Sequence, residues 1–232
     1  MKKAQFLAAV LTAGALLLLL GVDMAVATPS TTYWTPATTD IQPFGVLHIG
    51  VDNYFTVFQN DGDSLPTDSG LTIGILPFDK FRMEIGVDVI EPTDDPVSFN
   101  AKVGTPEGSL FNGSPALNLG IFNVGTEKDV TDQNIVYGLV GKTIPYLGRV
   151  HIGPYIGNED SLVDGDGNEE NEGFMVGFDR AFMPTTDMQG NEYSKLIFAA
   201  DYASGENSIG GGGVGLYYFF TKDISLLTGP VW

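Results

Sequence analysis

Residues 80–92 read KFRMEIGVDVIEP. Phe81, Met83, Ile85, Val87 and Val89 alternate with Arg82, Glu84, Gly86 and Asp88. A period of two puts all the apolar side chains on one face of a β-strand, which no helix can do. The same division recurs in VSFNAKV (97–103), where Val97, Phe99, Ala101 and Val103 oppose Ser98, Asn100 and Lys102. In GRVHIGPYIG (148–157), Val150, Ile152 and Ile156 oppose Arg149, His151 and Tyr155. In KLIFAADY (195–202), Leu196, Phe198, Ala200 and Tyr202 oppose Lys195 and Asp201, with Ile197 and Ala199 diluting the polar side. Helical periodicity is nearly absent, and 30 Gly and 13 Pro are scattered along the 232 residues.

Extending the pattern gives about eleven strands, beginning near residues 44, 69, 80, 97, 116, 134, 149, 173, 194, 209 and 223. Tight connections such as PFDK (77–80), IPYLG (144–148) and TKD (221–223) are interspersed with longer acidic ones. The long ones are NDGDSLPTD (60–68), GTEKDVTD (125–132) and NEDSLVDGDGNEENE (158–172). Two architectures accept such strands. A soluble β-sandwich buries the apolar face, whereas a transmembrane β-barrel turns it to lipid and keeps the polar face inside. Ionisable residues within the strands favour the barrel, because a lumen can hydrate or pair them. Aromatics near strand ends, among them Tyr54, Phe78, Phe81, Tyr146, Tyr155, Phe182 and Tyr217 to Phe220, fit interfacial girdles. The pattern therefore predicts an all-β fold, an antiparallel transmembrane β-barrel of about 10–12 strands.

The chain begins MKK, continues with an apolar stretch over 4–22, and offers AVA at 25–27. That order predicts a secretory signal peptide, residues 1–27, removed before Thr28, the alternative being a retained membrane anchor, for which the apolar stretch is long enough. Residues 28–43 then form an N-terminal periplasmic segment and 44–232 the β-barrel domain. The formal charge of −18 argues against nucleic acid as a partner. With no Cys there is neither a disulfide nor thiol chemistry.

The export signal, the Gly-rich amphipathic strands and the stretch ISLLTGPVW (224–232) resemble a small porin-like outer-membrane β-barrel of Gram-negative bacteria. In that group an aromatic closing a strand of alternating apolar residues is the signal read by the barrel-assembly machinery. The resemblance gives this role to Ile224, Leu226 and Trp232, with a departure at Pro230. It implies location in the outer membrane, with lipid and lipopolysaccharide as surroundings. It carries no functional motif.

Candidate chemistry is sparse. In DGDGNEENE (164–172), Asp164, Asp166 and Asn168 have the one-three-five spacing of an EF-hand loop. Glu169 stands where that loop needs Gly and Met175 where it needs Glu, so this is no EF-hand. With Glu170 the cluster reads as a solvated acidic loop or a weak Ca²⁺ site. GGGG at 210–213 has no Lys and no helix after it, so it reads as curvature or close approach, not a phosphate cradle. His48 and His151 fall on the polar face, Asp52 lies near His48, and spacing assembles no Ser–His–Asp constellation. No enzyme activity and no cofactor are expected. The polar set facing inward is Arg82, Glu84, Asp88, Lys102, Arg149, Asp179, Lys195 and Asp201, joined by His151. Its matched charges suit either a closed internal network or opposing walls of a pore. The leading expectation is a passive pore or channel for small solutes or ions. The alternatives are a non-conducting structural or interaction protein of the outer membrane, serving an envelope complex, and a secreted soluble β-sandwich binding protein.

Overall fold

The computed structural model describes residues 33–56 and 66–232. The signal peptide read over 1–27 lies outside the described residues. Eleven strands follow one another: β1 (Leu47–Asp52), β2 (Thr67–Gly74), β3 (Arg82–Glu91), β4 (Val97–Thr105), β5 (Ala116–Gly125), β6 (Ile135–Ile144), β7 (Gly148–Ile156), β8 (Glu172–Thr186), β9 (Glu192–Ala203), β10 (Gly211–Thr221) and β11 (Ile224–Thr228). They form one sheet in chain order, every neighbouring pair antiparallel. Each start lies within a few residues of its position in the pattern, because the alternation itself is what the strands obey.

The all-β antiparallel reading holds, and a sandwich does not, since a sandwich needs a second sheet and the described residues form one. The closed barrel is not what the structure shows. β1 pairs only with β2, and β11 only with β10. The two edge strands run the same way, so no antiparallel ladder can join them. The stretch after β11 keeps to the same partner: Gly213 bridges Val231, and Gly212 and Trp232 exchange backbone hydrogen bonds of 3.0 and 2.9 Å.

The apolar face points away from the protein. Ile49 and Val51 of β1, Ile85 of β3, Phe99 of β4, Leu117 and Leu119 of β5, Val136 and Val140 of β6, and Ile152 and Ile156 of β7 are all exposed. Phe174, Phe182, Tyr202, Leu216, Tyr218 and Phe220 continue this face across β8–β10. The opposite face holds the buried charges Glu84, Lys102, Asp179 and Asp201. It is not purely polar. Ile135, Tyr137, Leu139, Tyr155, Met175 and Ala203 cluster there under Leu162 of the long 157–171 loop, and Ile197, Ala199, Tyr217 and Phe219 make a second cluster. Tyr155, Tyr217 and Phe219, read from sequence as girdle aromatics, therefore point inward, while Phe78, Phe81, Tyr146 and Phe220 are exposed as a girdle requires.

The connections sort by end. Those after β5 and β7, long and acidic, lie at one end of the sheet, and the tight ones after β6 and β10 lie at the other. Residues 33–46 run from the long-loop end to the tight-turn end along the inner face. Trp34 Nε1 donates to the Ile209 carbonyl beside β10 at 3.0 Å, and Phe44 bridges Gly74 at the end of β2. Elements eight strands apart, β2 and β10, thus touch one segment, so the sheet curls around it. The stretch read as a separate N-terminal segment over 28–43 is, from residue 33 onward, the filling of the fold.

Candidate functional site

The inner face is built from cross-strand partners. Glu84 of β3 and Lys102 of β4 are directly opposite in the ladder and form an ion pair of 3.2 Å. Arg149 of β7 faces Asp179 of β8 in the same way, with Nε 2.9 Å from Oδ2. Opposite charges at matched register are the favourable arrangement in a sheet. Asn100 Nδ2 donates to Asp88 at 2.6 Å. Almost every sequence-predicted inner residue is therefore brought into one wall, but as pairs rather than as loose charges.

Residues 33–46 complete it. The Asp201 carboxylate of β9 accepts the successive backbone N–H groups of Tyr33, Trp34 and Thr35. Asn118 Nδ2 of β5 donates to the Thr38 carbonyl at 2.7 Å. Asp40 takes both terminal nitrogens of Arg149, at 2.6 and 2.7 Å, so that guanidinium is shared between two carboxylates. The Gln42 N–H donates to Glu84 Oε2 at 2.6 Å. Arg82 reaches only toward the Ile41 carbonyl, at 3.5 Å. Glycines make the room. A Cβ on Gly141 would meet Thr39 and His151, one on Gly213 would meet the Tyr33 ring, and one on Gly74 would meet the backbone of residues 42 and 43. The GGGG stretch is thus used for close approach, as its sequence suggested.

His151 is 1% exposed. Its Nδ1 faces the Thr39 N–H at 3.2 Å and Oγ1 at 3.0 Å, and its Nε2 lies 3.5 Å from Asp179 Oδ2. Accepting the Thr39 N–H makes Nδ1 the unprotonated nitrogen and puts the ring hydrogen on Nε2, toward Asp179. A hydroxyl, an imidazole and a carboxylate are thereby brought together that spacing could not assemble. The carboxylate is already held by Arg149, and the adjoining recess, bounded by Asp40, Arg82, Glu107 and Lys142, measures only about 160 Å³. The array anchors the segment. Lys195, toward the tight-turn end of β9, and His48 of β1 stand apart from these contacts.

No family model, curated protein or solved structure matches the chain.

The acidic loop has a local use. Asp164 Oδ1 accepts the N–H groups of Asp166 and Asn168, and Oδ2 accepts the Asn168 side-chain amide. Those bonds, with the Asn168 side chain first among them, hold the carboxyl below the usual range. The turn after β8 repeats the design with Asp187, Gln189 and Asn191, and Asp187 is depressed for the same reason. Both stretches read Asp-x-x-Gly-Asn, with Gly167 and Gly190 at φ of 82° and 89°. The one-three-five spacing is therefore accounted for by a hairpin turn, and no group of three or more potential metal ligands occurs among the described residues. At the other end, burial pushes the Glu107 carboxyl up, but hydrogen bonds from Lys142 and Thr143 outweigh it and leave the group low. Sequence reasoning missed Thr38, Thr39, Asp40 and Gln42. Their segment has no alternation, and its only signal was the run of inward glycines facing it.

Proposed function

We propose that this chain is an outer-membrane β-protein of a Gram-negative bacterium, embedded through its apolar face, whose polar interior serves as a narrow passage for small solutes or ions. One observation carries the reading. The sheet is inside out, with ion pairs sequestered and a continuous aliphatic and aromatic face exposed. Exposed apolar patches on soluble monomers seldom exceed a few hundred Å², whereas a lipid-facing sheet requires such a face around its whole circumference. Interfacial Tyr and Phe at the strand ends support it. Unpaired strand edges are not tolerated in hydrocarbon, so the reading entails that β1 and β11 are covered within the bilayer. It also keeps the barrel-assembly machinery, lipid and lipopolysaccharide as partners.

A second reading has its own observation. Residues 33–46 occupy the inner face, which favours a non-conducting barrel with a structural or envelope-interaction role. Two measurements on the intact protein separate the possibilities. Fractionation with heat-modifiable gel migration tests membrane embedding, and a protein that stays in the soluble fraction and migrates alike with and without boiling refutes it. Planar-bilayer conductance then tests the passage, and an embedded protein that conducts nothing under any condition leaves the structural role.

A further inference from the structure

We infer that residues 33–42 are a displaceable plug, hinged at 43–46, and that the arrangement described above is the closed state of the passage. The inference rests on the membrane-passage reading. Four observations on the segment support it.

The segment is attached by polar contacts that water can replace. Its anchors are Asp201 on the N–H groups of residues 33–35, Asn118 on Thr38, His151 on Thr39, Arg149 on Asp40 and Glu84 on Gln42. Most join a side chain of the wall to backbone of the segment; Asp201, bonded to residues 33–35, would be left to water on release, whereas the ion-paired wall groups retain a partner. Glu84 keeps Lys102 and Arg149 keeps Asp179. The segment also lacks a ladder: among the described residues its sheet pairing is the single bridge of Phe44 with Gly74. Pro36 and Pro43 each remove a backbone donor that such a ladder would need. Docking is incomplete, because Tyr33 Oη and Gln42 Oε1 are buried with no hydrogen-bond partner among the described residues. Buried polar atoms are normally paired, and these two would gain water on release.

A hinge is present at the tight-turn end. Gly45 adopts a φ of 75°, a left-handed conformation natural to glycine. The Val46 N–H closes the turn on the Pro43 carbonyl at 3.0 Å, and the Gly45 N–H bonds Gly74 at 2.9 Å. Rotation there swings 33–42 off the wall and out toward the tight-turn end while β1 stays paired. What it uncovers is a polar track across the wall, from Asp201 through Asn118 and the Arg149–Asp179 pair to Glu84–Lys102.

The test uses the full-length protein in planar bilayers. Thr39→Cys with Gly141→Cys introduces the chain's only two thiols, at positions in direct contact. Oxidised, this variant is expected to hold the low-conductance state, and reductant is expected to release it, with openings at least as frequent as in wild type because a Cβ at 141 crowds the docked segment. Asp201→Asn and, separately, Asp40→Asn remove a charged anchor and should raise the open fraction by about tenfold or more, as expected when hydrogen bonds to a charged group are lost. Amide exchange at Tyr33–Thr35 should quicken in Asp201→Asn. If the variants embed and show heat-modifiable migration, yet oxidised, reduced and anchor-loss forms all conduct like wild type, the segment is a fixed filling and the inference falls. Failure to embed is a different outcome: it overturns the membrane reading and the plug with it.

Discussion

Ile152 and Ile156 form a natural experiment on what surrounds the sheet. Both lie on the outer face of β7, and both are 53% exposed. Ile152 is the middle residue of the strand and Ile156 its last, about 13 Å further along at the usual rise per residue. In water, two equally exposed sites should respond alike to Arg, each within about 0.5 kcal/mol. In a bilayer they should not. Arg near the midplane costs about 2–4 kcal/mol and near the interface about 0–1. Ile152→Arg should thus lower the folding equilibrium roughly 30- to 900-fold, and Ile156→Arg far less. The assay is urea titration of the protein refolded into lipid vesicles, followed by the fluorescence of Trp34 and Trp232. Equal and small effects at the two positions would refute the lipid-facing assignment, and so would a larger cost at Ile156.

Three further outcomes follow from the inner face and the loops. Arg149→Leu strands Asp40 and Asp179 without their shared cation, which should cost roughly 3–5 kcal/mol in the same titration, and adding Asp179→Asn should recover part of it. Asp164 and Asp187 have depressed folded-state values, so their contribution is present above the unfolded value, about 3.9, and is lost as pH falls through the folded one. Amide exchange in 164–168 and 187–191 should therefore quicken at lower pH than that of an unpaired aspartate would suggest, and equal protection at pH 2 and pH 6 would count against it. The acidic loop 157–171 lies at the end where the segment enters, so the passage should prefer cations. Replacing Asp166, Glu169 and Glu170 by Asn or Gln should weaken that preference in reversal-potential measurements, and the difference should vanish near 1 M salt, where the Debye length is about 3 Å.

Alternation alone determined most of the sheet. Phe81 to Val89 against Arg82 to Asp88 assigned a strand, its two faces and their polarity, since side chains a residue apart in a strand must point oppositely. The pairs Glu84–Lys102 and Arg149–Asp179 were legible as inward residues but not as pairs, because register depends on turn geometry as well as on pattern. The Asp164 spacing was legible, but its local use was not. Its oxygens satisfy the turn's own N–H groups, and only the path of the backbone decides that. The filling of the interior was out of reach. Thr39, Asp40 and Gln42 sit in a segment with no periodicity, and their partners His151, Arg149 and Glu84 lie 112, 109 and 42 residues away. Contacts at such separation leave no local mark on a sequence except the space cleared for them, here the inward glycines Gly74, Gly141 and Gly213. Local periodicity chose the sheet and its faces. What the curled sheet closes around, and that β1 and β11 do not pair, depends on the long-range packing of the whole chain.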